Sequence, residues 1–200
     1  MSGSSRLQLA FAKFDAANAA DPNLEVFDGT TYPKEVLYAQ RMTATLERFA
    51  PDASEAVRLA ARSQHICRWQ IARDTYPMDK EGYKRWRIEL YKFHGQIAGG
   101  VMREVGYDEE MIAKVQALLR KEKLKANPET QLLEDVIGLA FLQYHLADFV
   151  TKYSYYEEEK LLGILRKTWK KMSAQGHAAA LQLNLSPPLQ ALVGKALAET

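Results

Sequence analysis

The sequence predicts an all-α fold, a single-domain helical bundle over residues 1–200. Apolar residues recur three and four apart in almost every long segment, the period of an amphipathic helix. The segments break at Pro22, Pro33, Pro51, Pro77, Pro128 and Pro187-Pro188, where a helix loses a donor and meets a ring clash. Two hundred residues can bury a full core, and no Gly-, Ser- or Pro-rich stretch divides them.

Taken in order, helices are expected at 5–20, 34–50, 53–70, 80–105, 108–122, 128–153, 156–172, 174–182 and 187–198. These group as an N-terminal helix and loop (5–33), a core (34–153) and C-terminal helices (154–200). Residues 21–33 are read as an ordered loop in which Leu24, Val26 and Phe27 seek burial; no strand is needed. Four helix starts carry capping chemistry. Asp52 stands three residues before Glu55, Asp108 precedes an acidic first turn, and Asn127 and Ser186 each precede a proline that has no amide proton to satisfy. Gly99-Gly100 interrupts a predicted helix at a cost of about 1 kcal/mol each, which requires close helix packing or close access of a ligand. The densest apolar stretch, 131–150, is expected to be central, so its polar residues Glu134, Asp135, His145 and Asp148 need partners.

Composition narrows the function. Twenty-seven basic residues against 25 acidic give a net charge of +2, too little for a global field that would draw in a polyanion. A single cysteine, Cys67, excludes an internal disulfide and a thiolate zinc cage. No segment approaches the roughly 20 apolar residues of a membrane span, and the start lacks the apolar run of a signal peptide. A soluble, cytoplasmic protein is expected.

The rare residue types gather between Arg62 and His94, where two of four histidines, five arginines and two of three tryptophans occur. Histidine binds metal or moves protons near neutral pH, and arginine offers a fixed fork for phosphate or carboxylate. On a continuous helix His65 shares a face with Arg58, Arg62 and Trp69, a wall suited to an anion pocket or to a hydrogen-bonded core histidine. Glu134-Asp135, on the apolar helix, fits either an ion pair or a metal ligand and general base facing His65 and His94. The basic run Lys167-Thr-Trp-Lys-Lys171 fits a solvated helix end or, less well in so balanced a chain, nucleic acid. Phosphate-loop, dinucleotide-glycine, nucleophile-elbow and His-Glu-x-x-His patterns are absent.

With Tyr38-x-x-Arg41-Met42, His65, His94 and Glu134-Asp135-x-x-x-Leu139 in order, the chain resembles a divergent HD-type metal-dependent phosphohydrolase. In that register His65 stands at the histidine of the His-Asp pair, Asp135 at the late aspartate, and His94 at an intervening histidine. Tyr38 stands at the first histidine, Ile66 at the aspartate of the pair, and Lys121-Glu122 in the region of another histidine. Over residues 5–198 the chain also resembles the family of unknown function numbered four-two-zero-two. That resemblance rests on Gln64-His-Ile-Cys-Arg-Trp69, Tyr76-Pro-Met78, Trp86-Arg87, Phe93-His94, Val105-Gly-Tyr107, Leu133-Glu-Asp135 and Ile164 to Ser173 with Gly176-His177.

The HD resemblance implies a hydrolase acting on a phosphorylated small molecule or nucleotide. His65, His94, Asp135 and Glu134 would be catalytic, and His65, His94, Asp135 and Glu122 would hold one divalent ion (Mn, Fe, Zn or Mg), with no organic cofactor. Arg62, Arg68, Arg73, Trp69, Arg87, Lys121 and Tyr38 would line the substrate. A di-iron oxygenase is disfavoured, because Ile66 removes a bridging ligand. The alternative is a metal-free module that clamps a nucleotide-like anion; an RNA-associated protein is a weaker third. The expected partner is a small, phosphate-containing anion, with no membrane role and nucleic acid disfavoured.

Overall fold

The computed structural model describes residues 3–152 and 158–198, with side chains from Arg6 onward. It is all-α apart from one small hairpin. The helices are α1 (Gly3–Asn18), α2 (Lys34–Phe49), α3 (Glu55–Ser63), α4 (Lys80–Glu104), α5 (Glu109–Leu119), α6 (Pro128–Ala140), α7 (Leu146–Lys152), α8 (Glu158–Lys171), α9 (Ala174–Ala180) and α10 (Pro187–Ala198). The chain divides into two compact units, residues 1–123 and 124–200. The expected helix boundary at 153–156 falls outside the described residues.

In the first unit α3 packs against α1, α2 and α5, and α4 lies along α5. Small residues make α3 central: Ala56, Val57, Leu59, Ala60 and Ala61 are at most 1% exposed. Helix packing accounts for Gly99, where a Cβ would meet Gln116 Nε2 at 2.6 Å and Ile112 at 3.1 Å, but not for Gly100, where a Cβ would meet open space. In the second unit α6 packs on α8 and α9, and α8 on α10.

Asp108 and Asn127 cap as expected, accepting from Met111 N and from Glu129 N and Thr130 N. The start of α3 is a correction: Ser54, not Asp52, accepts from Val57 N. Residues 24–33 are a second correction. Leu24–Phe27 (β1) and Thr30–Pro33 (β2) pair antiparallel, with Phe27 opposite Thr30. Asp28 and Gly29 make the tight turn at φ 50° and 73°, the left-handed pair that a two-residue hairpin loop requires. Leu24, Val26 and Phe27 are exposed rather than buried. Arg41 tethers the hairpin to α2, pairing with Glu25 at 2.5 Å and lying 4.9 Å over the Phe27 ring.

Two further expected helices are interrupted. The one predicted over 53–70 ends at Ser63, and Cys67 turns left-handed at φ 52°. Its amide donates to Asn18 Oδ1 at 2.9 Å, so a side chain from the end of α1 stabilises a backbone state that an L-residue adopts only at some cost. The one predicted over 128–153 loosens into a π-helical turn at Phe141–His145 between α6 and α7.

Candidate functional site

The left-handed turn at Cys67 sets the geometry of the first unit's polar cluster. Because α3 ends at Ser63, His65 and Ile66 lie in the turn that leads to it, and Ile66 and Arg68 meet α4 at His94 and Trp86. The Ile66 carbonyl accepts from His94 Nδ1 at 2.8 Å. Because a carbonyl only accepts, the Nδ1 proton is fixed and Nε2 carries the lone pair. That Nε2 is buried, meets no hydrogen-bond partner, and belongs to a side chain only 2% exposed. Burial pulls the His94 imidazole down to about 3, against the smaller effect of the Ile66 bond and with help from Arg68 and Arg87. The ring is neutral at physiological pH.

His65 lies 6.0 Å from His94, ring centre to ring centre, and stacks on Tyr38 of α2 at 3.9 Å and 12°. Its Nδ1 comes within 3.3 Å of Glu35 Oε2, an approach without hydrogen-bond alignment that leaves this buried oxygen unbonded. Glu35 was not among the residues singled out from the sequence. Its position three residues before Tyr38 and seven before Met42 was the available signal, since these share one helix face. The Glu35 backbone is pinned, with its amide donating to Asp21 Oδ2 at 3.1 Å and its carbonyl accepting from Asn18 Nδ2 at 3.4 Å. Burial raises the Glu35 carboxyl to about 7, against the nearby Arg68 and together with Asp21.

Two half-buried guanidiniums complete the cluster. Arg68 lies 4.7 Å over the Trp86 ring, and Arg87 donates to Tyr91 Oη at 2.6 Å. Burial first, and the charge of Arg87 second, push the Arg68 guanidinium below its ordinary value, while Glu35 opposes them. Among the described residues no carboxylate comes within ion-pair distance of either arginine. Lys121 sits 5.7 Å from the Tyr91 ring, on which Arg87 also lies. Trp86 is held by its indole N–H, which donates to Ile71 O at 2.9 Å.

The other expected site residues sit elsewhere. Arg62 forks onto Asp15 at 2.8 and 2.5 Å and so is neutralised. Arg73 donates to the carbonyls of Tyr76 and Asp79 and lies 5.9 Å from the rings of Tyr83 and Trp86. Trp69 is half-buried in the short 3-10 turn Arg68–Gln70. Glu122 is exposed and pairs with Arg120 at 2.6 Å.

Glu134 and Asp135 belong to the second unit. Glu134 is buried, with Lys171 Nζ at 3.8 Å. Asp135 accepts from Ser173 N at 2.7 Å, Ser173 Oγ at 2.6 Å and Gln131 Nε2 at 3.1 Å. Among the described residues no three His, Cys, Asp or Glu side chains gather as a metal set. His177 stacks on Trp169 at 3.8 Å and bonds its carbonyl through Nε2 at 2.9 Å. No helix among the described residues is long and apolar enough to cross a membrane.

The perturbed Glu35 gives a stability test. Between pH 4.5 and 7 the folded chain keeps a proton on Glu35 that the unfolded chain releases, so its stabilising contribution is full below the unfolded value and falls as pH rises through about 7. His94 acts oppositely: between about 3 and 6.5 the unfolded chain binds a proton that the native imidazole refuses, and stability rises with pH. Relative to wild type, Glu35→Gln is expected to gain about 3 kcal/mol in unfolding free energy from pH 4.5 to 7, read from urea melts at stepped pH. A difference that stays constant across that window would contradict the buried, proton-bearing carboxyl.

No curated protein and no solved structure matches the chain. A family model, described as Domain of unknown function (DUF4202), matches residues 8–193, nearly the whole length and both units. On that match the chain belongs to the DUF4202 family.

Proposed function

We propose that this protein binds a small phosphate-bearing anion in the cluster formed by Arg68, Arg87, His65, His94 and Tyr38, with Lys121 at its margin. The observation that carries the reading is the pair of half-buried guanidiniums, with the charge of Arg87 acting against Arg68 and no carboxylate at ion-pair distance of either among the described residues. Removing two like charges from water costs several kcal/mol unless an opposite charge meets them, and an oxyanion supplies that charge with bidentate geometry. The Trp86 and Tyr91 faces support the guanidiniums, and the N–H groups of Arg68, with those of Arg87 not given to Tyr91 Oη, would meet the ligand.

A thermal-shift series with chelator-treated protein, inorganic phosphate, nucleoside monophosphates and a short RNA tests the reading. At a hundred times Kd, a phosphate ligand should raise Tm by roughly 5 to 10 °C, without added metal. No shift with any phosphate compound would refute it, and a shift with RNA alone that collapses with salt would point to nucleic acid.

A second reading is hydrolysis of a phosphoester at the same place, as HD-like kinship would imply. One observation favours it: His94 is a neutral imidazole whose Nε2 carries a lone pair, and its ring centre lies 6.0 Å from that of a second imidazole, His65, the form that a proton acceptor or metal ligand takes. Phosphate release from a nucleotide, measured with and without Mn, Fe, Zn or Mg, separates this reading from binding alone.

A further inference from the structure

The cluster holds a buried acceptor as well as two cations, and the acceptor constrains the anion. His94 Nε2 can only accept, because the other ring nitrogen donates to the Ile66 carbonyl. Beside it the Glu35 carboxyl, 6% exposed, has its main chain fixed by Asn18 and Asp21 and its Oε2 3.3 Å from His65 Nδ1 without a hydrogen bond. A buried acceptor left unpaired costs roughly 1 to 3 kcal/mol. The bound ligand is therefore asked for two things at once: negative oxygens for Arg68 and Arg87, and a hydrogen to donate.

Resting on the oxyanion reading above, we infer that the site selects an oxyanion that carries its own O–H, a hydrogen phosphate or a singly protonated phosphate monoester, over an acceptor-only anion such as sulfate. Hydrogen phosphate directs its charged oxygens at the guanidiniums and its P–O–H at His94 Nε2. Sulfate has the same tetrahedral shape and double charge but no proton at neutral pH. Placed at the same cluster, it sets oxygen lone pairs against the imidazole lone pair and leaves that acceptor unmet. Shape and charge cancel in the comparison, so the difference isolates the donor.

Titration calorimetry of the full chain at pH 7.5 with phosphate, arsenate and sulfate tests this. Phosphate and arsenate should bind about ten- to a hundredfold more tightly than sulfate. His94→Asn places an amide N–H where Nδ1 donates to Ile66 and removes the Nε2 acceptor, so the phosphate-to-sulfate ratio should fall to within about threefold. Equal binding of sulfate and phosphate by the wild type, or an undiminished ratio in a folded His94→Asn variant, would overturn the inference and leave the oxyanion reading standing. Binding of none of the three anions would end both. Should His94→Asn not fold, the wild-type ordering decides: phosphate and arsenate together above sulfate supports the donor requirement, and any other ordering rejects it.

Discussion

Arg68→Met is expected to abolish phosphate binding while leaving the unliganded protein about as stable as wild type. The guanidinium gives up its place on the Trp86 ring, worth about 0.5 to 1 kcal/mol, but the variant is also relieved of the charge repelled by Arg87 and of its desolvation cost. Methionine keeps the unbranched stem against Trp86, so packing is preserved. These effects oppose each other, and the net change in unfolding free energy should lie within about 1 kcal/mol. Binding has no such compensation. Charge-assisted bonds contribute roughly 1.5 to 3 kcal/mol each, so the loss of a forked pair should weaken phosphate at least about a hundredfold. Calorimetry with parallel urea melts checks both halves. A variant that loses several kcal/mol of stability yet still binds phosphate would show Arg68 to be structural.

The opposite pattern is expected at Asp135. Asp135→Ala should cost about 3 kcal/mol or more, because three donors from Ser173 and Gln131 lose a buried carboxylate acceptor at once. Asp135→Asn retains one carbonyl oxygen for the Ser173 amide and should cost distinctly less. Denaturant midpoints measured for both give the ordering. If Asp135→Ala were as stable as wild type and instead lost bound metal, the aspartate would be a ligand, as the HD resemblance implies, and its bonds to Ser173 would be incidental.

The helices were legible in the sequence because their signals are local. Asp108 and Asn127 cap where a short polar side chain precedes a run with helical period, and Pro128 occupies a position where its missing amide costs nothing. Three features were not read, for different reasons. The hairpin was signalled locally by Asp28-Gly29 between short alternating strands, but its apolar residues were assigned to burial when Arg41 and Glu25 hold it at the surface. The end of α3 was not legible, because Asn18, far away in sequence, supplies the acceptor that stabilises Cys67 in the left-handed region. The π turn at Phe141–His145 leaves no mark in an apolar period that continues through it.

The site divides along the same line. Residue types pointed to His65, His94, Arg68 and Arg87, and to Tyr38 by register. Which arginines were already neutralised depended on tertiary partners: Arg62 is held by Asp15 on α1, whereas Arg68 lies on an aromatic face beside a like charge, with Glu35 near but not at ion-pair distance. Glu35 escaped notice because a lone glutamate in a first helical turn reads as a favourable dipole contact. Its burial depends on tertiary neighbours: His65 lies against its side chain, and Asn18 and Asp21 hold its main chain.

The central claim is that Arg68 and Arg87 together receive an oxyanion. It is tested most directly by following their guanidinium Nε–H resonances in 15N-resolved spectra as inorganic phosphate is added to the full chain. Both signals, assigned by Arg→Lys variants, should move in parallel and saturate at one equivalent of bound phosphate, while the Arg62 signal, tied to Asp15, stays in place. Stationary Arg68 and Arg87 resonances, or shifts spread evenly over the surface arginines without saturation, would contradict it.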